Sequence, residues 1–292
     1  MANVESENLK ASNYCVSFID LLGQRDTARG QGLLPSIKSE AEDKTFRIIL
    51  RDNIGAIFQL QHDVEAMVKA ASPNPNSPLR NNLSEQDKAI WDEILKKSVK
   101  TQYWSDGFVS FVCLGDQEIK CPLNGVFEIF CTTGYFCLLG LARRRPVRGA
   151  IDIAWGVEIR PGELYGPAVT RAYELESKVA KYPRIVVGHE VVKFLKVHIA
   201  NPEDDPFTQA NRDFAQRCLD MLVQDVDGYW IVHYLGDTFR WAVTHEQHGI
   251  LHEKARAFVI QQTEEHRKLL NSKLAFRYSQ LLTYFDTHMS SA

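Results

Sequence analysis

The stretch YCVSFIDLLG, residues 14–23, decides how the rest of the chain is read. From Tyr14 to Ile19 the side chains are aromatic, branched or small, and the run stops abruptly at Asp20. Such a run predicts a buried strand with an acidic residue at its C-terminal end. Leu21, Leu22 and Gly23 then turn the chain toward polar sequence. A second acid is similarly placed. Residues 99–114 (VKTQYWSDGFVSFVCL) read as two strands folded about Ser105-Asp106-Gly107, where the glycine is expected to supply the positive φ of a tight primed turn. If the two strands are neighbours, Asp20 and Asp106 project from one edge of a sheet. Two carboxylates, a backbone carbonyl and triphosphate oxygens form the donor set that Mg²⁺ or Mn²⁺ prefers. The plainer alternative is that Asp106 caps its turn and Asp20 caps a following helix.

Working outward, residues 45–70 place Phe46, Ile49, Leu50, Ile54, Ile57, Phe58 and Leu60 at helical spacing. Residues 72–82, with three prolines and four asparagines, predict a loop, and a short amphipathic helix follows around 85–97. The apolar stretch 121–142 contains one charge, Glu128, and precedes Arg143, Arg144 and Arg145. It is long enough to cross a membrane, but Asn124, Glu128, Thr132, Thr133 and three glycines favour a buried core helix whose end the arginines occupy. Then come a strand at 147–155, a connection through Gly162 and Gly166, and a helix at 167–181. In that helix Ala168, Ala172, Leu175 and Val179 share a face, with Thr170, Arg171, Glu174 and Lys178 turned away. Strands are expected at 184–187 and 227–234, and the charged, amphipathic 246–285 predicts a C-terminal helical extension. Strands alternating with helices make the chain α/β or α+β, with one catalytic domain and a helical tail.

The composition excludes several classes. The chain has 292 residues, 45% of them apolar and 24% charged, with a formal net charge of −3. That is ordinary for a soluble globular protein and too neutral for a dedicated duplex-DNA binder. Six cysteines without a CxxC pair read as buried, reduced thiols. The polar, acidic N-terminus has no apolar core of a signal peptide, so a cytoplasmic protein is expected, with neither nucleic acid nor membrane as partner. Neither a Walker A motif nor GxGxxG is present. His245-Glu246-Gln247-His248-Gly249 is like a zinc-protease helix but has its second His one residue early. His252 is four residues beyond His248 without a third ligand, and His62-Asp63 is one pair inside an amphipathic helix; both read as helix surface.

Phe18-Ile19-Asp20-Leu21-Leu22-Gly23 resembles the first metal motif of class III nucleotidyl cyclases, and Ser105-Asp106 at a hairpin tip resembles the second. Arg148-Gly149-Ala150-Ile151 with Gly156, then Tyr165 to Val169 and Ala172 to Ser177, resemble that family's strand, glycine turn and catalytic helix. The similarity covers residues 12–190, taken as the catalytic domain, with 191–292 as a strand and helical extension packed on it. The spacing between the metal motifs, with Tyr173 to Ser177 and Tyr182 to Val187, is most like the bacterial pyrimidine cyclases of Pycsar anti-phage systems.

The resemblance implies an α+β fold with a palm-type central sheet, flanking helices and a homodimer with active sites at the interface. It also implies two Mn²⁺ or Mg²⁺ ions on Asp20, Asp106 and the Leu21 carbonyl. One ion lowers the pKa of a ribose 3′ hydroxyl, which attacks the α-phosphorus and expels pyrophosphate. Phe18, Leu22 and Gly23 line the substrate site in this reading, the N–H groups of Leu22 and Gly23 meeting phosphate. The base-reading positions fall on Gln102 and Glu163, which match neither adenylyl nor guanylyl cyclases and suit a pyrimidine, UTP ahead of CTP. Thr170 stands where the family places a ribose-orienting Asn, and Glu174 where it places a transition-state Arg. Arg171 is the replacement cation; its plain alternative is a surface ion pair with Glu174. Lys178, Lys181 and Arg184 are further phosphate candidates. A degenerate cyclase domain that binds without turnover, and a purine cyclase with an unusual pocket, are the rival readings.

Overall fold

The computed structural model describes residues 10–23, 33–70, 78–96, 99–244 and 248–288. Its strands are β1 (Ala11–Leu21), β2 (Lys100–Trp104), β3 (Gly107–Cys113), β4 (Val147–Arg160), β5 (Glu163–Tyr165), β6 (Ile185–Val187), β7 (Leu222–Gln224) and β8 (Trp230–Val232). The helices are α1 (Glu40–Ala70), α2 (Pro78–Asn81), α3 (Glu85–Ile94), α4 (Pro122–Ala142), α5 (Pro167–Lys178), α6 (His189–Ile199), α7 (Pro206–Asp220), α8 (Asp237–Phe239), α9 (His248–Lys268) and α10 (Ser272–His288). The α+β class is as expected: one sheet in the order β2-β3-β1-β4-β6-β8-β7, with β5 paired to β4 and helices on both faces.

β1 lies at the centre, antiparallel to β3 on one side and β4 on the other. It is buried on both faces, which explains its lack of polar alternation. Tyr14, Val16 and Phe18 join Val109, Phe111, Leu164, Ala168 and Ala172 under α5. Cys15, Ile19 and Leu21 face the larger core around α4. A single helix among the described residues, α4, is long and apolar enough to cross a membrane; here it is largely buried, packed between the sheet and α7 and α9. Arg143 caps its C-terminus and pairs with Asp63 of α1, which gives Asp63 a structural partner.

The hairpin corrects one expectation. Trp104 pairs with Gly107, so the two-residue turn is Ser105-Asp106, and the positive φ, 39°, belongs to Ser105. Gly107 is needed for a different reason: a Cβ there would stand 2.4 Å from the Ile19 carbonyl oxygen. The close approach of β3 to β1 at this point excludes a side chain.

Beyond β6 the chain adds β7 and β8 to the same sheet, β7 being a strand that the sequence did not reveal. The predicted C-terminal helix is two, α9 and α10, reversed at Leu270, whose φ is 53°. Arg184 is buried and held by Asp225, Asp227 and the Val179 carbonyl, so it is a core ion pair rather than a phosphate ligand. All six cysteines are free thiols. The first part of the His-Glu-Gln-His segment, residues 245–247, lies outside the described residues. His252 rests its ring on Phe285, 5.5 Å between centroids.

Candidate active site

The register of β1 and β3 sets the site. Asp20 stands opposite Gly107, and the Leu21 N–H donates to the Asp106 carbonyl at 3.1 Å. Both aspartates therefore sit at one end of neighbouring strands, where they line a cleft of about 670 Å³ together with Leu21, Leu22 and Gly23. The facing wall comes from the C-terminal hairpin, through Phe258, His266, Arg277 and Tyr278. His266 stacks on Tyr278 at 5.5 Å, and the edge of Phe258 meets the same ring system at 6.2 Å.

Arg144, Arg148, Lys181 and Arg277 line the cleft, giving it more basic than acidic side chains. Arg148, at the start of β4, reaches the Asp20 carboxylate at 3.4 Å and meets the buried Glu176 of α5 through its Nε. Arg144 donates to Gln261 at 2.7 Å and lies over Phe258. Burial and the neighbouring charge of Arg148 pull the Arg277 guanidinium below its ordinary pKa. Cationic walls around two carboxylates suit a polyanion that arrives with a metal ion.

No group of three or more His, Cys, Asp and Glu occurs among the described residues, so a zinc-type cage is not built here. The acids at this end of the cleft, Asp20 and Asp106 beside Leu21, offer hard oxygens. They fit Mg²⁺ or Mn²⁺, which take one or two carboxylates and complete their shells with substrate phosphate and water.

The remaining candidates lie elsewhere. Phe18 is buried, with the edges of Trp104 and Tyr173 against it at 5.9 and 5.4 Å. The Oε1 of Gln102 accepts the Leu164 N–H at 3.2 Å, which brings β2 to β5 and sets Gln102 beside Glu163. Thr170 donates its hydroxyl to the Gly166 carbonyl at 3.3 Å. Arg171 pairs with Asp152 at 2.8 Å, and Glu174 pairs with Lys178 at 2.7 Å, so the Arg171–Glu174 pair is not formed. Burial raises the pKa of Asp152, opposed by the hydrogen bonds from the Ile153 N–H and from Arg171. None of Phe18, Gln102, Glu163, Thr170 or Arg171 lines the cleft that holds Asp20 and Asp106.

The structure also corrects the phosphate contact at Leu22. Its N–H is given to the Pro146 carbonyl at 2.9 Å, which closes the turn against the end of α4. Of the three later cations, only Lys181 reaches the cleft. Sequence reasoning assigned no role to Arg148 or Arg277. An arginine opening a strand beside the β1 acid was a usable signal for the first; no local motif marks the second.

No protein-family model matches the chain, and no curated protein matches it. Among solved structures, it is similar to the adenylyl cyclase CyaB from P. aeruginosa, at 13% identity and a TM-score of 0.33, over 65% of this chain and 83% of that one.

Proposed function

We propose that the chain is a metal-dependent nucleotidyl cyclase of the class III kind. It converts a pyrimidine nucleoside triphosphate, UTP ahead of CTP, to a 3′,5′-cyclic monophosphate and pyrophosphate, as a messenger in anti-phage defence. The observation that carries this reading is the placing of Asp20 and Asp106 by the Leu21–Asp106 hydrogen bond, at the rim of a cleft with basic walls.

Asp20, Asp106 and the Leu21 carbonyl would hold Mn²⁺ or Mg²⁺, which supplies an acidified 3′ hydroxyl and charge neutralisation on the triphosphate. Lys181, which lines the same cleft, binds phosphate oxygens. Gln102 contributes to base choice: its Oε1 accepts the Leu164 N–H, so its amide N–H groups are left for an acceptor such as uracil O4. The Glu163 carboxylate accepts, as the uracil N3–H requires.

Two copies are needed in this reading, because one chain does not bring Gln102, Glu163, Thr170 and Arg171 to the metal acids. Support for a second copy comes from Trp104, Trp155, Tyr165 and Tyr173, large aromatics 40–54% exposed on β2, β4, β5 and α5.

A second reading, a degenerate domain that binds nucleotide without turnover, is favoured by Glu174. This acid stands at the family's usual arginine position, and Arg171 is committed to Asp152. Incubation with Mn²⁺ and each of ATP, GTP, CTP and UTP, with products resolved by mass, separates the readings. Cyclic UMP is the expected product. A cyclic purine would overturn the base assignment, and binding without pyrophosphate release would establish the second reading.

A further inference from the structure

We propose that Arg277, on the C-terminal helix α10, is a substrate-binding residue that holds the terminal phosphates of the nucleotide from the wall facing Asp20 and Asp106. The inference rests on the cyclase reading and deepens it by giving the C-terminal hairpin a share of the triphosphate site.

Arg277 is partly buried, lines the cleft and makes no hydrogen bond or ion pair with any described residue. The other arginines of the cleft are committed, Arg148 to Asp20 and Glu176, and Arg144 to Gln261. The charge nearest in effect to Arg277 is that of Arg148, of like sign. A partly desolvated guanidinium facing another cation is unfavourable until an anion lies between them. The one acid on the hairpin wall, Glu265, accepts a hydrogen bond from Gln262 along its own helix at 2.9 Å.

The helix that carries Arg277 is held firmly. The neighbouring Tyr278 is buried against Phe258 and His266, and Arg256 ties α9 to Asp286 of α10 at 2.9 Å. Arg267 and Ser279 make a second link between the two helices at 3.1 Å. Carried on a fixed helix, the guanidinium offers a planar fork suited to two phosphate oxygens. A triphosphate spanning the cleft would meet Lys181 on the sheet side and Arg277 on the hairpin side. A monophosphate would be too short to need Arg277.

The test is calorimetric titration of the full chain with inorganic tripolyphosphate, UTP and UMP. The proteins are the wild type, Arg277→Gln, Arg277→Lys and, as a control on the same hairpin, Lys268→Gln, an exposed cation outside the cleft. Loss of a charge-assisted bidentate contact is expected to weaken tripolyphosphate and UTP by roughly tenfold or more in Arg277→Gln, with partial recovery in Arg277→Lys. UMP binding should be unchanged in both, and Lys268→Gln should match the wild type throughout. Equal tripolyphosphate affinity in wild type and Arg277→Gln would overturn the assignment. So would a parallel loss of UMP, which marks a merely structural role. If Arg277→Gln does not fold, Arg277→Lys carries the test, and unchanged tripolyphosphate affinity in it overturns the assignment. A wild type that binds UTP and UMP but not tripolyphosphate overturns this inference alone. One that binds none of the three overturns the cyclase reading as well.

Discussion

The carboxylate of Glu176 lies against the Nε of Arg148, and the far side of the same guanidinium reaches Asp20 at 3.4 Å. One arginine thus links α5, β4 and β1, and the Glu176 side chain that it meets is only 2% exposed. Glu176→Gln leaves Arg148 with Asp20 as its remaining acid partner. Breaking a buried pair on one side costs about 3 kcal/mol, measurable by urea unfolding. The freed guanidinium then competes with metal for Asp20, so the Mn²⁺ concentration giving half-maximal activity should rise roughly tenfold. A variant with unchanged stability and Mn²⁺ dependence would show that the link does not position Asp20.

Asp20→Asn and Asp106→Asn keep the shape of both side chains and remove their charge. Each is expected to lower Mn²⁺-dependent turnover by more than about 100-fold if, as proposed, both hold the metal. Both acids lie at the cleft rim rather than in the core, so thermal midpoints should stay close to wild type. Full activity in either variant would end the metal assignment.

Gly107→Ala should be far more costly than a surface methyl. The added Cβ meets the Ile19 carbonyl at 2.4 Å, so β1 and β3 must separate where they set the two aspartates. A loss of about 1–3 kcal/mol is expected from overpacking, with turnover falling beyond what stability explains. Denaturant unfolding beside initial rates separates the two effects.

Trp155→Glu places a charge in the exposed aromatic surface of β4, far from the cleft residues. Sedimentation is expected to show monomers, with turnover lost and tripolyphosphate binding retained. Retained dimers with full activity would remove this surface from the interface.

Stability should fall with acid in a defined window. Burial and the neighbouring His288 push the His233 imidazole down from 6.5 to about 4, and its Nδ1 meets the Tyr284 hydroxyl at 2.9 Å. Unfolding restores its ordinary proton affinity, so protonation favours the unfolded chain. The contribution is complete above pH 6.5 and is lost as pH falls toward about 4. Asp237 opposes this depression, and His288 is lowered alongside. His233→Gln should flatten the unfolding free energy between those pH values; an unchanged slope would assign the acid sensitivity to other groups.

Much of the N-terminal half was legible because its signals are local. A two-sided buried strand ending in Asp20 and a turn carrying Asp106 each need only a few consecutive residues, and their pairing follows from adjacency in the sheet. The long apolar helix also declared itself, since a stretch with one charge must be covered by something. The turn's positive φ was assigned to the wrong residue because Gly107 serves a tertiary contact with Ile19, which no hairpin pattern encodes. Strand β7 was missed because three residues against an edge carry too little periodicity to stand out. Arg171 was expected beside Glu174 by helical spacing, but the buried Asp152 on β4 is the stronger attraction. Arg277 had no sequence signal at all, as it shares a cleft with Asp20 only once α10 folds back on α9.

That last fold-back has a consequence for how the protein is made. The wall of the cleft that carries Asp20 leaves the ribosome well before the wall that carries Arg277. At the usual ~5–20 residues per second, tens of seconds separate them. Throughout that interval the two aspartates sit on an open shelf without a facing wall. A chain broken off before the hairpin would keep its acids yet lack the hairpin's share of the triphosphate site, so incomplete copies would hold the nucleotide weakly.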